Sequence, residues 1–249
     1  MNLSLTERLR RKIANKIPTS VKKLTLADGV LSLTIDDFPQ NAWSNGGPVL
    51  AHHGVKATFY VSGGLCGRDW LGLQQYDLAT LKAVHRAGHE IACHTFDHIN
   101  CVRSSPQAFL GSITRNKAFI AGVLPEVSLT NFAFPYGDIA FVSKLRTANR
   151  FASCRGVRAG INTGRIERAN LYAIGLERRQ MHLHDFPRLV AETARSRGWL
   201  ILFTHDVSDH PSSYGCRPAD LDRVVSLAKR AGLRIAPVKE VVSQFAAAG

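Results

Sequence analysis

The chain alternates short apolar runs with longer amphipathic stretches over most of its length. Val30–Ile35 is an apolar run that ends in Asp36-Asp37. Ala57–Val61, Glu90–Cys93, Asn131–Phe134, Phe151–Cys154, Leu171–Leu176, Trp199–Phe203 and Arg234–Ala236 are short runs that read as buried strands. Between them, Asp77–Ala87, Pro106–Val123, Ile139–Ala148, Phe186–Arg197, Pro218–Ala231 and Val238–Phe245 carry helical periodicity. Gly63-Gly64, Gly88 and Pro135 punctuate the pattern. Strands alternating with helices of about ten residues predict parallel βαβ units. Seven or eight such units predict an α/β fold, a distorted (β/α)7-8 barrel of parallel strands in a single domain. A doubly wound open sheet is the alternative.

A different pattern precedes the first strand. Ser4-Leu5-Thr6-Glu7 has the form of a capping box. Leu5, Leu9, Ile13 and Ile17 then recur every fourth residue as one apolar stripe, and Pro18 ends it. This divides the chain into a basic N-terminal helical extension, residues 1–23, and a barrel domain, residues 24–249. The stripe has two placements open to it. It packs on the barrel, or it makes residues 5–17 a basic amphipathic helix resting on an anionic membrane surface.

Charge sharpens that choice. The 249 residues carry a formal net charge of +13, which favours anionic partners. Residues 1–23 hold seven Lys/Arg (Arg8, Arg10, Arg11, Lys12, Lys16, Lys22, Lys23) against one acid, Glu7, so almost half the excess lies there. No apolar leader segment follows the basic start, and no run of about 18 apolar residues occurs. The five cysteines (Cys66, Cys93, Cys101, Cys154, Cys216) are scattered, without Cys-x-x-Cys spacing. That pattern suits a reducing compartment. The expected location is cytoplasmic, with contact at the inner membrane face. No helix-turn-helix, zinc-finger or aromatic-rich RNA-binding pattern is present, so no specific nucleic-acid partner is expected. A Gly-x-Ser-x-Gly elbow and a phosphate-binding Gly-x-x-x-x-Gly-Lys loop are also missing.

Acidic and imidazole groups gather just after the strand-like runs. Thr34-Ile35-Asp36-Asp37 ends one, His94-Thr95-Phe96-Asp97-His98 follows another, and Thr204-His205-Asp206 follows a third. In a parallel barrel all strand C-termini open on one face, where catalytic groups collect. The spacing of His94 and His98 places both imidazoles on one side of a helical turn. Two neutral imidazoles and a carboxylate suit Zn²⁺ with one position left for water, and Asp36 or Asp37 can supply the carboxylate. His205 is then a separate acid. His85 and His89 share the spacing, but Gly88 interrupts them and no acidic strand end lies beside them. His210, in a loop after His205, is a weaker candidate for the pocket wall. Cys93 reads as a small buried residue.

These residues, in this order, resemble the polysaccharide deacetylase family. Thr34-Ile35-Asp36-Asp37 resembles its Thr-Phe-Asp-Asp motif, and His94–His98 resembles its His-Ser/Thr-x-x-His motif. Phe134-Pro135-Tyr136-Gly137 resembles the motif ending in Pro-Tyr-Gly, and Leu202–Asp206 resembles Leu-x-His-Asp. The resemblance implies removal of acetyl from an N-acetylated carbohydrate substrate by metal-activated water. It implies a divalent metal, Zn²⁺ first, with Co²⁺, Ni²⁺ or Mn²⁺ as alternatives, on Asp37, His94 and His98. It also implies Asp36 as general base, His205 as general acid and the backbone N–H of Tyr136 as oxyanion donor. Thr95 would support the ligands, and Asp206 would steady the last loop.

Two departures stand out. The family's Arg before Pro-Tyr-Gly is absent from Asn131-Phe132-Ala133-Phe134, and Arg178 is the candidate replacement. The family's later Asp has no clear match, and Glu177 is the candidate for orienting His205. Phe38, where the family often has Gly, suggests a differently shaped mouth. A metal-dependent amidase acting on a non-sugar C–N bond and a non-catalytic carbohydrate-binding relative are the competing readings.

Overall fold

A computed structural model describes residues 4–245. Helix α1 (Leu5–Lys16) and strand β1 (Val21–Lys23) lead into β2 (Val30–Asp37), every residue of which is buried. Two short helices follow, α2 (Gln40–Ser44) and α3 (Gly46–His52), then β3 (Thr58–Val61). A small hairpin, β4 (Asp69–Trp70) with β5 (Leu73–Gln74), precedes α4 (Leu78–Arg86) and β6 (Glu90–Cys93). Next come α5 (Pro106–Val123), β7 (Asn131–Ala133), α6 (Phe141–Ala148), β8 (Ser153–Arg155) and β9 (Arg165–Glu167). The chain continues through β10 (Ile174–Gly175), α7 (Phe186–Ser196), β11 (Trp199–Thr204), α8 (Pro218–Arg230), β12 (Arg234–Ile235) and α9 (Val238–Val242).

The main sheet runs β10-β11-β2-β3-β6-β7-β8, with parallel neighbours throughout. β12 pairs with the first residues of β2, where β3 has not yet begun. The segment before β10 also bridges Arg155 of β8 at Leu171, so the sheet curls back on itself as a distorted barrel. Inside the curl, Tyr60, Ala92 and Ala133 pack together. Phe59, Phe109, Phe132 and Leu200 belong to the larger core between sheet and helices. Fully burying one such side chain contributes about 1.5–3 kcal/mol.

The expected strands and long helices all occur. The elements not foreseen are short: α2, α3, the β4–β5 hairpin and the antiparallel β1–β9 pair. Pro48 of α3 stands in that helix's first turn, where its missing N–H costs nothing. Gly47 is needed because a Cβ there would lie 2.8 Å from the Trp43 ring.

Helix α1 has the expected capping box, with Ser4 and Glu7 bonding reciprocally. Its apolar stripe does not pack on the barrel. Leu5, Leu9, Ile13 and Ile17 are 84%, 57%, 40% and 47% exposed. The helix docks instead through its polar side. Glu7 meets Arg103 (3.4 Å), Arg11 meets Asp138 (3.2 Å), and Ala14 is buried. Lys144 of α6, itself fully buried, donates to the carbonyls of Ala14 and Ile17 and pairs with Glu167 (2.7 Å). That lysine complements the carbonyl end of the helix.

Candidate active site

β2, β6, β8 and β11 end at one face, and the groups that follow them line a cleft of about 460 Å³. Asp36, Asp37, His94, His98, Tyr136 and His205 all contribute to its wall. The Asp37 carboxylate Oδ1 lies 3.5 Å from His94 Nε2 and 3.0 Å from His98 Nε2. One donor atom from each of Asp37, His94 and His98 lies within 4.8 Å of the other two, and all three residues are buried.

Backbone strain brings them together. Asp37 and Phe38 have φ of 60° and 71°, and Thr95 and His98 have φ of 63° and 49°. Non-glycine residues there cost of order 1–3 kcal/mol each and concentrate at functional sites. The expected helical turn between His94 and His98 is not formed; an irregular loop with two left-handed residues aims the rings instead. Thr95 Oγ1 accepts from Ile99 N–H and holds that loop (3.1 Å).

The donor set fits a divalent cation. His94 Nδ1 donates to the Ala133 carbonyl (2.9 Å), which leaves the Nε2 lone pair facing the Asp37 carboxylate. Burial pushes the His94 imidazole down to about 4, so a proton does not bridge the two groups at neutral pH. Asp37 remains ionised: burial opposes this, but His98 and then His205 hold its carboxyl well below the usual range. A lone pair aimed at an anion is repulsive unless a cation lies between them. Asp37 Oδ1 and His98 Nδ1 also have no hydrogen-bond partner.

Asp36 points elsewhere. Its Oδ2 accepts from Arg155 Nη2, and its Oδ1 is buried without a hydrogen-bond partner. Arg155 is 1% exposed, between the rings of Tyr60 and Phe203 (5.1 and 5.0 Å), and donates to the Gly156 carbonyl. The cation beside Asp36 is therefore Arg155 and not Arg178. Arg178 is exposed and directs its Nε toward the Ser212 carbonyl, because strand β10 has already ended and its side chain turns outward. Arg155 was legible in principle: it follows Phe151–Cys154 just as Asp36 follows Val30–Ile35.

His205 stands across the cleft, with Nε2 4.0 Å from Asp37 Oδ2. Its Nδ1 lies 3.3 Å from Glu177 Oε1, and Glu177 is wholly buried. Arg179 Nε and Gln180 Nε2 fix the other Glu177 oxygen. Burial disfavours the charged imidazole, but Glu177, Asp37 and Asp36 outweigh it and raise His205 to about 9. Asp206 accepts from Ser212 N–H (2.8 Å) and its hydroxyl, tying down the loop after β11. Tyr136, at φ 61°, also lines the cleft and packs against the His98 ring (4.5 Å). The Gly137 beside it allows no side chain, since a Cβ would lie 2.2 Å from Val157.

The rim was not foreseen. Trp70, from the β4–β5 hairpin, packs on His98, and Tyr214 packs on His205 with Arg179 over its ring (4.2 Å). Phe38 does not shape the mouth; it is fully buried and stacks on Tyr76. His210 lines a neighbouring depression rather than this cleft. His89 is a core group that accepts from Ala57 N–H, and His85 pairs with Glu126 at the surface. Burial pushes the Cys93 thiol up to about 11, which rules it out as a ready nucleophile.

The family profile for polysaccharide deacetylase matches residues 23–153. No curated protein sequence matches the chain. Among solved structures, the Xyl-CE4 domain of a multidomain xylanase from the Trinervitermes trinervoides hindgut metagenome is similar at 19% identity and a TM-score of 0.57. That match covers 87% of this chain and 91% of the domain. Bacillus subtilis PdaA, a family 4 carbohydrate esterase, is similar at 12% identity and a TM-score of 0.59, covering 91% and 86%. BA3943 of Bacillus anthracis, a CE4 family pseudoenzyme, is similar at 16% identity and a TM-score of 0.60, covering 91% and 69%. At these identities the likeness is one of fold, and a pseudoenzyme shares it.

Proposed function

This chain belongs to the polysaccharide deacetylase family, and we propose that it is a metal-dependent hydrolase that removes the acetyl group from an N-acetylated sugar. The observation that carries the proposal is the triad of Asp37, His94 and His98 donor atoms, in one cleft with two pairs, Asp36–Arg155 and His205–Glu177. A divalent ion held by Asp37, His94 and His98 would supply Lewis acidity, polarising the acetamide carbonyl and acidifying water.

The chain's own groups do the rest. Arg155 fixes one Asp36 oxygen and leaves Oδ1 to take the proton of the attacking water. The Tyr136 N–H, at the left-handed turn in the cleft wall, would donate to the growing oxyanion. His205, raised to about 9, carries a proton at neutral pH and delivers it from Nε2 to the leaving amine. Glu177 keeps His205 charged and orients it through Nδ1. Trp70 and Tyr214 offer flat apolar faces against which a sugar ring stacks.

Acetate release from a panel of N-acetylated saccharides tests this reading, run after chelation and after metal add-back. The expected result is release that chelator abolishes and metal restores. Hydrolysis of small amides with no release from any sugar would overturn the sugar assignment in favour of an amidase.

A further inference from the structure

The outward face of α1 takes no part in that chemistry. We infer that it is a docking surface for an anionic lipid bilayer. At 100° per residue, Leu5, Leu9 and Ile13 lie about opposite Glu7, Arg11 and Ala14, the side that docks on the barrel. A helix that only needed a place to pack would turn its apolar stripe inward; this one spends its polar side on the barrel and keeps the stripe in solvent. The neighbouring helix α6, braced to it by Lys144, also exposes Val142 and Leu145.

Charge identifies the occupant. Arg8, Lys12 and Lys16 run along one edge of the stripe and Arg10 along the other, all exposed. Basic edges beside an apolar strip match the headgroup and acyl layers of an anionic membrane. A second copy would bring the same basic edges together in a chain of net charge +13. An acidic polysaccharide offers nothing to the leucines and isoleucines. The helix is tied to the rim of the catalytic face, because Arg103 and Asp138, its partners, follow the segments bearing His98 and Tyr136. Docking would hold the cleft beside the bilayer surface. This inference does not depend on which substrate the cleft accepts.

Vesicle flotation of the full chain tests it. Phosphatidylcholine vesicles containing phosphatidylglycerol should carry the protein, and phosphatidylcholine alone should not. Leu9→Gln with Ile13→Gln should weaken partitioning about tenfold or more. Lys12→Gln with Lys16→Gln should weaken it about tenfold, and salt should mimic that loss. Both double variants should keep the parent's melting temperature and its activity on a soluble sugar. Absence of flotation with anionic vesicles would overturn the inference, as would flotation unchanged by the Leu9/Ile13 substitutions. Lipid-free dimerisation abolished by those same substitutions would overturn it too, and would assign the stripe to a second copy.

Discussion

The two ends of the barrel treat buried polar groups in opposite ways. At the N-terminal end, two buried networks are fully paired. Glu90 accepts from Thr58 Oγ1, Asn131 Nδ2 and Lys239 N–H (2.8, 2.6 and 2.8 Å), and Ser153 donates to Asn131 (2.8 Å). Trp199 Nε1 donates to Ser32, which donates to the Ala236 carbonyl (2.9 and 2.7 Å). At the C-terminal end, Asp36 Oδ1, Asp37 Oδ1, His98 Nδ1 and Trp70 Nε1 lack hydrogen-bond partners among the described residues. Asp37, Phe38, Thr95, His98 and Tyr136 all have positive φ there. A satisfied polar network specifies and stabilises a fold. An unsatisfied, strained one marks where the fold gives up stability for chemistry.

That contrast can be broken by mutation. His205→Ala should lower kcat by about 10²–10⁴-fold while melting temperature and metal content hold. Asp36→Asn should lower kcat as far with metal content unchanged, and should also lower the melting temperature, because it leaves Arg155 buried without its anion. Glu90→Ala at the opposite end should do the reverse. It orphans two buried donors and one part-buried one and should cost about 2–4 kcal/mol of stability, read from denaturant midpoints, with kcat per folded molecule unchanged. A selective loss of kcat in Glu90→Ala would erase the distinction between the ends.

Arg155 belongs to both accounts, since it is buried and pairs with Asp36 of the cleft wall. Arg155→Ala should cost about 3–5 kcal/mol by leaving Asp36 buried without its cation, and should lower kcat as well. Arg178→Ala should leave kcat within about twofold, as expected of an exposed side chain.

Glu177→Gln sharpens the role of His205. Glu177 raises His205, whose value is about 9. If the protonated imidazole is the acid, kcat holds below that pH and falls above it. Removing the Glu177 charge lowers the imidazole pKa, so the alkaline fall should move to lower pH. A pH–rate profile with an unmoved alkaline limb would contradict the assignment.

Much of this was legible in the chain. Apolar runs such as Val30–Ile35 and Trp199–Phe203, bounded by turn signals, read as buried parallel strands, and groups placed just after such strands share a face. Asp36, Asp37, His94, His98 and His205 could therefore be brought together without coordinates. Arg155 was missed because which cation reaches Asp36 depends on how strands curl, which local spacing does not encode. Trp70 lies on a strand of two residues, too short for any periodicity to register. The stripe on α1 declared an apolar face but not its direction. That was decided by Glu7, Arg11 and Lys144, groups whose partners are distant in sequence.

Calorimetric titration of the metal-stripped protein with Zn²⁺ bears most directly on the proposed centre. The account predicts one tight site per chain, lost in His94→Ala and His98→Ala and retained in Asp36→Asn and His205→Ala. Undiminished binding in both histidine-to-alanine variants would contradict it.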